Sequence, residues 1–337
     1  MRRAVLLVSS ALALCPGSAL AGRSGFVQPH IGYGTPSSFV LTGRVLEDQQ
    51  IRAPAVHRTG SDNLIDTLKT LETDEIVGAR LEVEVAGRVF SATTDDDGNF
   101  EVRSTDLSPP LPVGAVTARI RVTDGRGHAV PDATAELHIL PDEEGVAIIS
   151  DFDDTVVESH VRDKARLLQE VLLKNPAQLI PVAGVPEAYR RAKEAGAAGL
   201  FYVSSSPHSF FDRVLTFFAL HRIPKGPVLL KNFGSDDVFA HEGYKRARIE
   251  SLLAAFPKLR FILVGDSGEK DPEIYRAVQA AHRARVVAVV IRRVPGDASP
   301  PARTHGFFVV DDYSRAPTFL AELVRRAKAE RRAPAAK

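Results

Sequence analysis

Cysteine is almost missing from this chain: Cys15 is the only one among 337 residues. It lies in a leader-like N-terminal stretch, so the mature protein is expected to hold no thiol for a disulfide, a zinc site or covalent catalysis. Any chemistry must then fall to carboxylates, hydroxyls and lysine. An excess of charge is missing too, since 43 Lys and Arg stand against 42 Asp and Glu for a net charge of +1. That balance gives no electrostatic case for nucleic acid, and none for an anionic membrane held by charge alone. An acidic substrate would have to be drawn by local groups. Beyond the start of the chain no segment has the ~20 consecutive apolar residues that span a bilayer.

The start itself is informative. Met1-Arg2-Arg3 precedes a short apolar run from Ala4 to Leu14, and Ala19-Leu20-Ala21 is an A-x-A cleavage signal. Residues 1–21 are therefore expected to be a signal peptide and the protein to be periplasmic or secreted. The residue before Cys15 is Leu14 rather than a small one, which argues against lipoprotein processing at the cysteine.

What remains is 44% hydrophobic and long enough for roughly two cores. From about Phe39 to Leu140 short alternating strands are punctuated by turns, as in Phe39–Val45, Arg80–Val85 and Ala118–Val122. This pattern predicts a small β-sandwich-like domain over residues 30–143, with a short helix inserted between Asn63 and Glu75. Asp95-Asp96-Asp97-Gly98 fits a tight turn better than a calcium loop, because the spacing and terminal Glu of an EF-hand are absent.

After Pro141 the pattern changes to strands alternating with helices, which predicts an α/β domain with an open parallel sheet over residues 144–328, then a tail over 329–337. The expected strands are Val146–Ile149, Leu200–Val203, Phe261–Val264, Val286–Ile291 and Phe307–Val310. The expected helices are Pro186–Ala195, Phe210–His221, Lys245–Ala255, Pro272–Ala281 and one from Pro317 to about Arg326.

In such sheets ligands bind beyond the carboxyl ends of the strands. Three of these ends are polar: the first delivers Asp151 and Asp153, the second Ser204-Ser205-Ser206-Pro207, and the third Gly265-Asp266 with Asp271 close behind. An aspartate beside a cation can attack a phosphoryl group, and the carboxyl two residues on can protonate the leaving oxygen. Ser204 can donate to a phosphoryl oxygen, Asp266 can offer a hard oxygen to Mg²⁺, and Lys245 can neutralise charge on phosphate and nucleophile. His208 and Lys231 are further candidate substrate contacts. The phenylalanines Phe210, Phe211, Phe217 and Phe218 form a stripe suited to core packing, with contact to acyl chains as the competing reading. Arg292-Arg293 is either a solvated pair or a contact for anionic headgroups.

Taken in order, the Asp-x-Asp-x-Thr of residues 151–155, Ser204, Lys245 and the Gly265-Asp266…Asp271 group resemble the haloacid dehalogenase superfamily. The fuller strings Ser150–Val156, Phe201–Pro207 and Phe261–Tyr275 are similar to the actin-patch phosphatidate phosphatase family. The resemblance covers residues 146–293 and implies a haloacid-dehalogenase-like fold and Mg²⁺-dependent release of phosphate from phosphatidate. It implies Asp151 as nucleophile, Asp153 as general acid and base, and Lys245 as charge stabiliser. Thr155, Ser204, Ser205, His208 and Lys231 are then the candidate substrate-side residues, and Asp151, Asp153, Asp266 and Asp271 the candidate metal set. Asp271 either reaches the metal through water or positions Lys245, and Asp154 and Thr155 orient the loop. Ser205 departs from the family, where Asn is expected in the middle of Ser-Asn-Ser-Pro. The charged stretch from Glu158 to Asn175 falls where the superfamily inserts a cap, here a small one.

The expected partner is a phospholipid or another phosphomonoester, with peripheral membrane contact and no nucleic acid; the oligomeric state is open. Two other readings stand beside this one: a phosphatase for phosphoproteins or soluble phosphoesters, and a non-catalytic scaffold.

Overall fold

A computed structural model describes residues 23–48, 51, 53–71, 74–158, 173–232 and 241–330. The leader read at residues 1–21 lies outside them, as do residues 159–172 of the expected cap and the end of the tail.

The N-terminal part is built of β1 (Gly25–Pro29), β2 (Gly32–Thr35), β3 (Ser38–Glu47), α1 (Gly60–Leu71), β4 (Arg80–Val85), β5 (Arg88–Thr93), β6 (Asn99–Ser104), β7 (Gly114–Asp124) and β8 (Ala133–Ile139). One of these strands, β1, precedes residue 30, so the β region begins earlier than the sequence pattern indicated. The eight strands join in one hydrogen-bonded path, β1-β3-β2-β8-β7-β4-β5, with β6 on the other edge of β3. A sandwich of two separate sheets is therefore replaced by one sheet that curls over its own core. Phe39 in β3 and Phe90 in β5 lie far apart on the path, yet their rings meet edge to face with centroids 5.2 Å apart. Alternation drives the curl: Leu81, Val83 and Val85 point inward from β4 and Arg80 and Glu84 outward, the signature of a sheet with one wet face. The acidic turn is a turn, with Asp95 Oδ1 accepting from the Asp97 and Asn99 amides.

The second part is β9 (Gly145–Ser150), α2 (Val185–Glu194), β10 (Leu200–Pro207), α3 (Phe211–His221), β11 (Val228–Lys231), α4 (His241–Ala255), β12 (Leu259–Asp266), α5 (Asp271–Ala281), β13 (Val286–Arg292), β14 (Phe308–Val310) and α6 (Phe319–Glu330). Its six strands are all parallel in the order β11-β10-β9-β12-β13-β14. The near-continuous apolar runs of β9 and β12 follow from burial on both faces. Val146, Ile148, Ile262 and Val264 pack under α2, α3 and α6, while Ala147, Ile149, Phe261 and Leu263 pack under α4 and α5. Phe210, Phe211, Phe217 and Phe218 are all buried, which assigns that stripe to the core.

The strand order decides where the site lies. The chain runs outward from β9 through β10 to β11, then crosses back to lay β12 on the other side of β9. Between β9 and β12 the loops leaving the strand ends part in opposite directions, which opens a crevice. The register sets Ser150 beside Val264 and also beside Tyr202, so the next residues of three strands converge at one level.

Ile148, at the centre of β9, is fully buried and packed in the core under α2 and α3. Ile148→Ala is predicted to lower unfolding free energy by about 3 kcal/mol, within the usual range for such truncations. Urea denaturation checks this, and a loss below about 1 kcal/mol would contradict the tight packing described.

Candidate active site

Asp151 is the first residue past β9, and its amide donates to the Val264 carbonyl of β12, which fixes where its side chain begins. The side chain is 2% exposed. Lys245 Nζ donates to its Oδ1 at 2.8 Å, and Thr155 Oγ1 donates to its Oδ2 at 3.2 Å. Thr155, a candidate substrate contact, is fully buried, and its hydroxyl serves Asp151.

Lys245 also donates to Asp271 Oδ1 at 2.6 Å, and Glu269 Oε2 stands 3.8 Å away. The lysine lies in the second turn of α4 rather than at its start, because the helix begins at His241. Asp271 opens α5, and its other oxygen accepts the Asp266 amide at 3.2 Å. Both Asp271 oxygens are thus engaged, which favours its role of positioning Lys245. Gly265 permits this geometry, since a Cβ there would collide with the Asp271 carboxylate and the Tyr275 ring.

Asp266, at the end of β12, spends Oδ1 on the amides of Gly268 and Glu269 at 2.6 and 3.0 Å. Its Oδ2 is buried and has no hydrogen-bond partner. Oxygens of Asp151, Asp266 and Asp271 lie within 4.8 Å of one another, all three residues buried. A buried carboxylate oxygen without a donor is costly unless a cation completes it. The donor set is all hard oxygen, so the residues fit a small divalent ion such as Mg²⁺, held by Asp151 and Asp266 with Asp271 behind them.

Asp153, the fourth candidate ligand, lies outside this group of three. Its Oδ2 accepts from Ser204 Oγ at 2.8 Å and Ser206 Oγ at 2.7 Å. Ser206 was not singled out from the sequence, although the signal was there: residues two apart on a strand share a face. Ser205 between them is half-buried. Asp154 takes a left-handed conformation, φ 54°. Its carbonyl accepts from Arg292 Nη1 at 2.7 Å. Arg292 is 4% exposed, so the reading of Arg292-Arg293 as a surface pair fails for Arg292 and holds for Arg293, which meets Asp311 at the surface.

Two further candidates are His208 and Lys231. His208 lines a cavity of about 350 Å³ between the two sheets, with His30, Tyr244 and Arg248, and none of Asp151, Asp153, Lys245 or Asp266 lines it. Lys231 is fully buried at the end of β11, in register with Pro207.

The electrostatics follow from burial. Loss of water pushes the Asp151 and Asp266 carboxyls well above the usual carboxylate range; Lys245 opposes the rise, and the neighbouring carboxylates add to it. Burial alone would lower Lys245, but Asp151 and Asp271 overcome it and hold the ammonium well above its ordinary value.

Lys245→Met leaves Asp151 buried without its cation, and removing one partner of a buried pair costs about 3–5 kcal/mol. The sign of the pH effect follows from the raised Asp151 pKa. The fold tolerates the neutral carboxyl, so the penalty is absent below the unfolded value, about 4, and grows as pH rises through it toward the folded value. Urea unfolding without metal is predicted to show the variant near wild type at acid pH and well below it at neutral pH. A gap that stays constant with pH would contradict the assignment.

Three comparisons bear on this geometry. The family described as phosphatidate phosphatase APP1, catalytic domain, matches residues 146–293, the stretch that carries every member of the cluster. Phosphatidate phosphatase APP1 of Saccharomyces cerevisiae is 31% identical over 213 residues, 60% of this chain and 34% of that protein. An uncharacterized protein of Schizosaccharomyces pombe is 30% identical over 167 residues, 48% of this chain and 27% of its own length. The chain thus spans about a third of the length of these relatives. Among solved structures, a carbohydrate acetylesterase from Xanthomonas citri aligns over 88% of this chain and 72% of its own at 10% identity, but its TM-score of 0.30 carries no argument. Residues 146–293, which hold the aspartates, serines and lysine brought together here, thus match the family of phosphatidate phosphatase APP1 catalytic domains.

Proposed function

We propose that this protein is a Mg²⁺-dependent phosphatase that hydrolyses a phosphomonoester through a phosphorylated Asp151, with phosphatidate as substrate and diacylglycerol and phosphate as products. The observation that carries the reading is the buried cluster itself. Lys245 bridges Asp151 and Asp271, while Asp266 keeps one buried oxygen without a donor. The parallel sheet with its site at the β9–β12 crevice is consistent with a haloacid-dehalogenase-like domain over residues 144–328, behind an N-terminal β domain. The leader-like start supports export.

The bound cation would reduce the repulsion between an anionic substrate and the carboxylates. The remaining steps belong to the chain. An Asp151 oxygen attacks phosphorus as the bond to the leaving oxygen breaks, and that oxygen takes a proton from Asp153. Water then attacks the phosphoryl group, gives a proton to Asp153, and the bond to Asp151 breaks to release phosphate. Lys245 keeps its ammonium against Asp151 throughout, and its position costs no reorganisation in the transition state. Ser204, whose hydroxyl rests on Asp153 here, can turn to a phosphoryl oxygen when substrate arrives.

The lipid assignment draws on the printed name of the yeast relative. Phosphate release from phosphatidate in mixed micelles, compared with soluble phosphoesters and phosphopeptides, tests it. The expected result is micellar turnover that needs Mg²⁺ and falls at least about 10³-fold in Asp151→Asn, the scale at which removing a nucleophile acts. Turnover of soluble esters alone would keep the chemistry and discard the lipid; no turnover of any of them would favour a scaffold. Mg²⁺ is also predicted to raise the unfolding temperature of wild type and to leave Asp266→Asn unchanged.

A further inference from the structure

We infer that Arg292 is a positioning residue for Asp153, the general acid and base of the reaction proposed above, and the inference rests on that reading.

Arg292 closes β13, in register with Asp266 at the end of β12. A strand-end arginine with no role would extend into water, but this one is 4% exposed and turned back over the crevice. Its Nη1 donates to the Asp154 carbonyl at 2.7 Å, and its Nε donates to the Asp311 carbonyl at 3.4 Å. The same guanidinium lies 3.7 Å from Asp154 Oδ1 and 4.0 Å from Glu158 Oε1. Its own carbonyl accepts the Ser267 amide at 2.9 Å. The side chain therefore ties the loop after β9 to the loop after β14, while the backbone of the same residue holds the loop after β12.

The loop needs such a tie. Asp154 sits at φ 54°, a region that side-chain-bearing residues disfavour and that the surroundings must hold. Asp153 immediately precedes it, so relaxation of Asp154 would swing the Asp153 carboxyl. Two forces then fix Asp153 from opposite sides: Ser204 and Ser206 hold its carboxylate from β10, and Arg292 holds the following peptide from β13. The planar fork suits this task, because it presents several donors in fixed directions to acceptors on different segments. A lysine keeps the charge and can serve fewer of them. With its donors turned onto loop oxygens and its side chain buried, Arg292 is placed for holding the loop rather than for binding phosphate.

A positioning role leaves a chemical signature. If Arg292 acts through the acid, its loss harms most the substrates whose leaving group needs a proton. The test measures kcat/KM with Mg²⁺ for short-chain phosphatidate, whose alkoxide leaves with a proton, and for p-nitrophenyl phosphate, whose phenolate leaves without one. Arg292→Gln is expected to lose about 100-fold on the alkyl ester and less than about fivefold on the aryl ester, the scale of a displaced general acid. Asp153→Asn should show the same selectivity, and Arg292→Lys should recover part of the alkyl activity. Equal losses on both esters, or a change confined to KM, would overturn the role. Circular dichroism checks that each variant is folded; if Arg292→Gln is not, Arg292→Lys decides by the same ratio. A wild-type protein inactive on both esters would overturn the function proposed above and this role with it. An active wild type with equal losses would overturn the role alone.

Discussion

The buried lysine between two buried aspartates is the interaction on which the rest of this structure depends. Lys245 reaches Asp151 and Asp271 at 2.8 and 2.6 Å with almost no water around it. Ion pairs withdrawn from solvent recover their hydration only through good geometry, and here each partner is held by a different element. Asp151 is anchored by the β9–β12 ladder, Asp271 by the start of α5, and Lys245 by α4. Asp266 adds a further carboxylate that the single ammonium does not satisfy, so the cluster retains the negative character that suits a cation.

The fold supplies this arrangement through chain order. A parallel sheet that grows first to one side of β9 and then to the other brings the ends of β9 and β12 together without any contact between them in sequence. Helices on both faces complete the burial, and their apolar stripes account for the two cores that sandwich the sheet. The N-terminal sheet meets this body at particular points. Gln28 donates to Asp212 of α3, Asn232 donates to Asp97, and Tyr33 packs its ring against Phe201 and Phe256. These contacts set the curled sheet beside β10 and β11 and leave the β9–β12 crevice to the parallel sheet's own residues.

Much of the site was legible because strand ends in parallel sheets are where function collects. Asp151, Ser204 and Asp266 each end or follow an apolar run of four or more residues, and such runs are read without knowing any partner. Lys245 was legible only by its place in order between the serine and glycine-aspartate groups. Arg292 was not legible as a buried residue. It stands at a strand end as Asp151 does, but whether an arginine there points to water or folds back depends on Asp154 and Glu158 in the loop after β9 and on Asp311 after β14, two separate loops. His208 shows the converse, since adjacency to a polar strand end left it lining a cavity that none of Asp151, Asp153, Lys245 or Asp266 lines.

By itself the sequence determined most of the segments that become strands and helices, β11 excepted, because hydrophobic period is a local property, and it determined which residue types stand at the strand ends. It also determined that no thiol is at hand beyond Cys15. Only the tertiary structure decided which oxygens are satisfied and which are not: that Asp271 serves Lys245 with one oxygen and the Asp266 amide with the other, that Asp153 is held by two serines, and that Asp266 keeps a buried oxygen in reserve. Likewise it decided that the β strands curl into one sheet rather than two. The physical reason is that hydrogen bonds and burial are pairwise, and most partners here, such as Lys245 with Asp271 and Asp153 with Ser204, are separated by tens of residues, so their meeting is settled by packing and register rather than by local pattern.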